Sequence, residues 1–199
     1  YFGTMERPDS KLVDTLLTDP LSRDYIKGVG FQWAGKDAIA AIHQQYPDLS
    51  LYQTEQECGN GYNDWKYCTY AWSLMKHYLN HGVKAYFYWN ISLKDGGKST
   101  WGWHQNSLVI VDTLHRTYKY SYEYYLMKHL SHFVKPNAKK IVTKGAFDDL
   151  LVFINPDKSV AILINNAETQ DKTVNIEIDG KILTPTLKAQ TINTILVKY

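Results

Sequence analysis

An alternation of strand-like and helix-like runs over residues 1–134 limits the fold of this chain more than any other feature. Short apolar and aromatic runs predict strands at 27–33, 49–55 and 83–90. Apolar residues at helical spacing predict helices that start at Asp9 or Ser10 and that cover 37–46, 68–79 and 122–132. Because strands joined by helical crossovers pair in parallel, the pattern predicts a parallel sheet covered by helices.

The polar and aromatic residues that end these strands indicate half of a (β/α)8 TIM barrel, an α/β fold whose active site lies at the carboxyl ends of its strands. Only about three and a half strand–helix units are present, whereas a whole barrel has eight. We therefore expect residues 1–136 to form about half of a barrel. An incomplete barrel has open strand edges and an uncovered apolar interior, which predicts association with the missing half or with another chain.

From about Ala138 onward, short β-branched runs replace the alternating pattern. These runs recur about every ten residues and are divided by turn signals such as Asp179-Gly180, which is typical of a β-sandwich. We place the boundary near Pro136 and expect residues 137–199 to form an all-β sandwich domain.

Composition narrows the classes of function. The net charge is +2 and no lysine- or arginine-rich run is present, so nucleic acid is not an expected partner. No apolar run approaches the roughly 20 residues of a membrane-spanning helix, and nothing distinguishes a secreted from a cytoplasmic protein. The two cysteines, Cys58 and Cys68, leave open whether they pair. The 16 Tyr and 6 Trp stand out, because flat amphipathic rings both fill cores and line sugar-binding clefts.

A strand that ends in an acidic residue carries the strongest chemical signal. The run YQTEQECG at residues 52–59 leaves a strand at Glu55 and enters a glycine-containing loop, which places a carboxylate at the mouth of a barrel. An isolated acidic residue at such a position is more often a helix cap or a surface charge. Here the neighbouring strands end in Gln32-Trp33 and Trp89-Asn90, so polar and indole side chains flank the carboxylate.

Taken together, these segments resemble glycoside hydrolase family 30, which includes the glucosylceramidases and β-1,6-glucanases. The resemblance covers essentially the whole chain. It is carried by LLTDP at 16–20, YIKGVGFQW at 25–33, the strand ends at Thr54-Glu55 and Tyr88-Trp89-Asn90, the segment from Asn106 to Asp112, and KHLSHFV at 128–134. It implies that residues 1–136 are the C-terminal half of the barrel, about strands five to eight, that the missing part is the N-terminal half, and that a β-sandwich follows. It also implies a retaining glycosidase that needs no metal or organic cofactor.

The resemblance also assigns roles to individual residues. Glu55 matches the family's catalytic nucleophile at the end of the seventh barrel strand. Gln32 departs from the family's pattern, since many members have His at this position. Trp101 and Trp103 fall in a loop where members vary. The substrate-binding residues that the resemblance implies are Gln32, Trp33, Trp89, Asn90, Trp101 and Trp103.

A second catalytic carboxylate is not evident in the sequence. The family's general acid/base is a glutamate after an asparagine at the end of strand four, and the dipeptide Asn-Glu occurs nowhere here. Retaining hydrolysis needs two carboxyl groups about 5 Å apart. We therefore expect the acid/base upstream, in a larger enzyme of which this chain is the C-terminal portion, inactive alone. Glu57 shares a strand face with Glu55, so it could be a catalytic partner or a charge that shifts the ionisation of Glu55. A solvated loop carboxylate is the simpler interpretation.

In the whole enzyme, Glu55 is expected to form a covalent bond to the sugar of a β-glucoside or β-glucan, which water then hydrolyses. One alternative is a non-catalytic carbohydrate-binding protein with the same aromatic cleft. Another is a structural fragment that survives only by association. An Asn-Glu pair upstream in the full-length sequence would favour the enzyme over the binding protein.

Histidines offer weaker candidates for chemistry. His129 and His132 have the i, i+3 spacing that can hold a metal, but no carboxylate or thiol completes the set, so no metal site is expected. His104 lies next to Trp103 and is the one histidine considered as a sugar contact.

Overall fold

The computed structural model describes residues 1–198 and divides the chain into two compact units, Tyr1–Tyr124 and Tyr125–Tyr199. Each unit has its own hydrophobic core. The division at Tyr124 comes earlier in the chain than the boundary near Pro136 that the sequence predicts, and the latter stays a prediction.

A four-stranded sheet forms the base of the first unit. Its strands are β1 (Phe2–Met5), β2 (Gly28–Gln32), β3 (Ser50–Glu55) and β4 (Val83–Tyr86). They lie in the order β1-β2-β3-β4, and each neighbouring pair is parallel. Between them run α1 (Lys11–Thr18), a 3₁₀ turn (Trp33–Ala38) followed by α2 (Ile39–Gln45), and α3 (Trp65–Asn80). Parallel strands joined by helices confirm the predicted partial barrel.

One face of this sheet packs on the helices. Alternate strand residues point to this side, as the two-residue period of a strand requires. The buried cluster consists of Met5, Val13, Val29, Phe31, Ala38, Ile39, Ile42, Leu51, Tyr78 and Val83.

The opposite face carries small and hydroxylated residues. A Cβ at Gly30 would lie 2.8 Å from Thr54 Cγ2 and 3.1 Å from Thr4 Oγ1, so the glycine makes room for both threonines, whose hydroxyls are hydrogen-bonded to each other. Tyr1 and Tyr52 pack edge to face on the same side, with ring centroids 4.9 Å apart. These contacts line this part of the face with hydroxyl groups, aromatic rings and backbone, and association through an uncovered interior stays a prediction.

Strand β4 ends four residues before the predicted end at Asn90. The backbone N–H of Phe87 donates to the side-chain Oε1 of Gln53 at 2.5 Å, and the Phe87 carbonyl accepts from the N–H of Gln56 at 3.1 Å. These bonds replace the regular ladder and turn the chain into a loop. The loop leads to a three-stranded sheet of β5 (Ser92–Lys94), β6 (Val109–Asp112) and β7 (Thr117–Tyr120), and α4 (Tyr122–Phe133) follows.

The second unit contains the β-sandwich. Its largest sheet has the antiparallel order β15-β10-β9-β8. Those strands are β8 (Lys139–Ile141), β9 (Leu150–Ile154), β10 (Val160–Asn166) and β15 (Thr191–Val197). Two short ribbons pair β11 (Lys172–Thr173) with β14 (Thr186–Leu187) and β12 (Ile176–Ile178) with β13 (Lys181–Leu183). All seven residues of β10 are buried, as expected of a central strand.

Candidate active site

The carboxyl ends of the parallel strands bring the predicted residues to one edge of the sheet. In the pairing of β2 with β3, Gln32 stands opposite Glu55, after an irregularity at the end of the ladder. Trp33 follows at once as the first residue of the 3₁₀ turn. The fold therefore places an amide, an indole and a carboxylate side by side at the edge where barrel active sites lie.

Trp33 and Glu55 are in direct contact. The indole Nε1–H of Trp33 donates a hydrogen bond to Glu55 Oε1 at 3.3 Å. Trp33 adopts a left-handed backbone with φ of 46°, which costs a non-glycine residue about 1–3 kcal/mol. Its neighbours must hold it there, and strain of this kind is concentrated at functional sites.

Both side-chain oxygens of Glu57 accept hydrogen bonds from other side chains. Lys36 Nζ donates to Glu57 Oε1 at 2.9 Å, and the hydroxyl of Tyr70 donates to Oε2 at 2.8 Å. The Tyr67 hydroxyl donates to the backbone carbonyl of Glu57. Burial and the bond to Glu57 raise the pKa of the Tyr70 hydroxyl, which keeps it a neutral donor. Glu57 is therefore a partly buried, ion-paired carboxylate, and its interpretation as a solvated loop charge is wrong.

The loop after β4 carries Trp89 and Asn90. Trp89 is 42% exposed. Asn90 has a left-handed φ of 70°, and its Nδ2 donates to the Asn106 carbonyl at 3.2 Å and to Gln105 Oε1 at 3.3 Å. These bonds fasten two loops to each other. A contact between Asn90 and substrate remains a prediction.

Trp101 and Trp103 project from a small hairpin closed by an antiparallel bridge between Lys98 and His104. The two indoles are stacked, with centroids 5.7 Å apart and planes 20° from parallel, and both are exposed. The Nδ1–H of His104 donates to the carbonyl of Gly96 at 2.7 Å, so this histidine holds the hairpin closed. The pair offers a flat apolar surface, and its predicted place in the pocket wall remains a prediction.

Two family models match the chain. The TIM-barrel domain of glycosyl hydrolase family 30 matches residues 7–134, and the β-sandwich domain of the same family matches residues 138–195. The chain belongs to glycoside hydrolase family 30.

Curated relatives are more distant. Two Caenorhabditis elegans proteins, putative glucosylceramidase 4 and putative glucosylceramidase 2, are 25% and 24% identical to this family 30 chain. The alignments cover 77% and 78% of this chain and 33% of each relative. The chain thus spans about a third of the length of the curated relatives it matches.

Solved structures show the same fold. SrfJ from Salmonella typhimurium superposes with a TM-score of 0.84 and 20% identity, over 97% of this chain and 46% of that one. The endo-β1,6-glucanase BT3312 has a TM-score of 0.78 and 20% identity, over 92% of this chain and 44% of that one.

The family 30 chain holds further polar groups near Glu55 and Glu57 whose roles the sequence did not predict. Asn106 is buried in the loop before β6; its Oδ1 accepts from the N–H of Gly61 at 2.7 Å, and its Nδ2 donates to Glu123 Oε1 at 2.7 Å. Lys36, Tyr67 and Tyr70 gain their roles only through Glu57, and a sequence offers no spacing rule for such partners. A glycine-rich segment at 59–61 was the one available hint that the loop after Glu55 lies close to another backbone.

The two cysteines of this family 30 chain are poorly suited to act as nucleophiles. Cys58 and Cys68 are buried free thiols, and burial raises the pKa of both, which disfavours the nucleophilic thiolate. Within residues 1–198, no group of three or more His, Cys, Asp or Glu side chains is arranged to hold a metal ion. No helix in that range is long and apolar enough to cross a membrane.

Proposed function

We propose that this chain supplies the nucleophile, Glu55, of a retaining β-glycoside hydrolase. The observation that carries the proposal is the contact of the Trp33 indole with Glu55 at the carboxyl edge of four parallel strands. A carboxylate that accepts a hydrogen bond from an indole is held in a fixed orientation. It can attack an anomeric carbon and form a covalent glycosyl-enzyme, which water then releases with net retention.

The general acid/base is proposed to lie outside strands β1–β4, in a part of the barrel that precedes this chain. Glu57 is a poor second carboxylate, because Lys36 and Tyr70 already occupy its two oxygens. In a retaining enzyme the partner must approach Glu55 to within about 5–5.5 Å from the far side of the glycosidic bond. On this proposal the chain alone does not hydrolyse ordinary glycosides.

The proposed substrate is a β-linked glucoside or β-glucan. The names of the Caenorhabditis elegans relatives support a glucosyl substrate. The exposed rings of Trp89, Trp101 and Trp103 support a sugar ligand, because an indole face stacks on the C–H face of a pyranose.

Two carboxylate substitutions in the intact protein test the assignment. With 2,4-dinitrophenyl β-glucoside, Glu55→Gln is expected to lower the rate by roughly a thousandfold or more, whereas Glu57→Gln leaves most of it. Equal losses, or an active Glu55→Gln variant, would overturn the assignment.

Azide gives the same test a stereochemical readout. In the Glu55→Ala variant, azide can attack the anomeric carbon from the side of the removed carboxylate and form the α-glucosyl azide. A β-glucosyl azide would instead mean that Glu55 is the acid/base.

A non-catalytic carbohydrate-binding protein is the second candidate, favoured by the stacked and exposed Trp101–Trp103 pair. That function predicts saturable binding of a β-glucan by the intact protein, with no released sugar. It also predicts that Glu55→Gln leaves the affinity unchanged.

A further inference from the structure

We propose that Lys36 and Glu57 form a positioning pair that holds the Trp33 indole against Glu55. The inference rests on the proposed role of Glu55 and adds two residues to the machinery of the same site. Neither residue is placed to touch the sugar. Their effect is exerted through the conformation of Trp33.

The ammonium group of Lys36 joins two elements that the sequence keeps apart. Its Nζ donates to the backbone carbonyl of Trp33 at 3.2 Å and to Glu57 Oε1 at 2.9 Å. The first bond closes the 3₁₀ turn on itself, and the second ties the turn to the loop after β3. Lys36 thereby connects the segments that carry Trp33 and Glu55, in addition to the hydrogen bond between those two side chains.

The strain at Trp33 explains why such a link is needed. A left-handed residue relaxes to the right-handed side unless its surroundings prevent it, and Trp33 has a φ of 46°. Two further contacts fix the turn that follows. A Cβ at Gly35 would lie 2.0 Å from the Met5 carbonyl oxygen, so the turn is packed directly on the end of β1. The Nε2–H of His77 donates to the Lys36 carbonyl at 2.9 Å.

The Lys36–Glu57 ion pair is partly shielded from solvent, which allows it to hold the turn in place. The side chains of Lys36 and Glu57 are 24% and 19% exposed, so solvent screens their attraction less than that of a surface pair. Helix α3 anchors the acidic partner through the Tyr70 hydroxyl, 2.8 Å from Glu57 Oε2. Because helix α3 fixes the position of Glu57, the bond from Lys36 to Glu57 also fixes the position of the turn.

A double-mutant cycle in the intact protein tests the inference. Lys36→Met is expected to lower kcat about tenfold on an aryl β-glucoside with little change in KM, because a displaced indole misaligns the attacking carboxylate. In the Trp33→Phe background, which has no indole N–H, the same change should cost less than about twofold. Equal losses in the two backgrounds, or no loss in either, overturn the positioning role.

Glu57 supplies the second variant and the rescue. Glu57→Met removes the other half of the pair and must give the same pattern, so it carries the test if Lys36→Met does not fold. Glu57→Gln keeps an oxygen that accepts from Lys36 and should retain most of kcat. Lys66→Met, an exposed lysine on α3, is the matched control and should leave the rate unchanged.

A spectroscopic readout separates this inference from the proposed function. In the intact protein labelled with ¹⁵N, the Trp33 indole resonance, assigned by its loss in Trp33→Phe, should move in Lys36→Met while the other indole resonances stay in place. An unmoved resonance overturns the positioning role even if Glu55 is the nucleophile. An active Glu55→Gln variant overturns the proposed function whatever the resonance does.

Discussion

Glu123 is a carboxyl group without access to solvent. Its Oε1 accepts from Asn106 Nδ2 at 2.7 Å, and its Oε2 has no hydrogen-bond partner among the described residues. Burial raises the pKa of Glu123, and the bond from Asn106 opposes that shift only in part. The folded state therefore holds the proton of Glu123 more tightly than the unfolded chain does, in contrast to the usual paired carboxylate.

The buried environment of Glu123 predicts that its contribution to the free energy of unfolding depends on pH. A raised folded-state pKa contributes stability below the unfolded pKa of about 4.3, and that contribution is lost as pH rises through the folded pKa. Glu123→Gln keeps the acceptor for Asn106 and cannot ionise. We expect the stability of this variant relative to the parent to increase from pH 4 to pH 8, by on the order of 1 kcal/mol.

Urea unfolding at a series of pH values measures that difference. The exposed Glu6, paired with Arg7 at the surface, is the matched control, and Glu6→Gln should show little trend with pH. Parallel pH profiles for Glu123→Gln and the parent would show that Glu123 ionises equally in the folded and unfolded states.

Individual residues of the site differ in how far a sequence can predict them. Glu55 and Trp33 end predicted strands, and parallel strand ends meet at one edge, so their proximity follows from pattern alone. Lys36 and Glu57 are 21 positions apart, and they meet only because Trp33 turns the chain into a 3₁₀ segment. Such a contact depends on a strained backbone angle, which neither residue periodicity nor helix propensity encodes.

At the scale of elements, the point at which a strand ends is likewise hard to predict from the sequence. Helix α3 was predictable from its apolar stripe, of which Cys68, Trp72 and Met75 are buried. Strand β4 was predicted too long, because its apolar and aromatic residues continue to Asn90. Its true end at Tyr86 is set by the side chain of Gln53, which bonds the next backbone N–H. A side chain that replaces a ladder partner leaves no signal in local hydrophobicity.

The start of α3 matters to the site because Tyr67 and Tyr70 on its first turns bind Glu57. Asp64 caps this helix, with Oδ1 accepting from the N–H of Tyr67 at 2.8 Å. Asp64→Ala should lower the free energy of unfolding by about 1 kcal/mol. Asp64→Asn keeps a capping oxygen and should cost much less.

Urea denaturation followed by circular dichroism compares the two Asp64 variants. If the alanine and asparagine variants lose the same stability, the negative charge of Asp64 near the helix N-terminus, rather than its cap, stabilises α3. If neither loses stability, the cap has no thermodynamic role.

For the molecule as a whole, the first unit presents a sheet with two outer strands. Within the described residues β1 pairs with β2 alone and β4 with β3 alone, so each has a row of backbone groups on its other side. Exposed strand edges pair with other chains unless charge, proline or a covering element prevents it. The helix-free face carries Thr4 and Thr54 hydroxyls and the rings of Tyr1 and Tyr52. Edge pairing, rather than burial of an aliphatic surface, is therefore the expected route of association.

We expect the 199-residue chain to self-associate with increasing concentration in sedimentation velocity while binding little hydrophobic dye. Thr4→Lys places a charge on the open face of edge strand β1 and should weaken the association, because a lysine at an edge opposes the approach of another strand. Thr15→Lys, at an exposed site on α1, adds the same charge away from the edge and should leave it unchanged. A monomer at all concentrations would mean that the edges are already protected. Strong dye binding with equal effects of both lysines would mean that the contact is made by apolar surface elsewhere on the molecule.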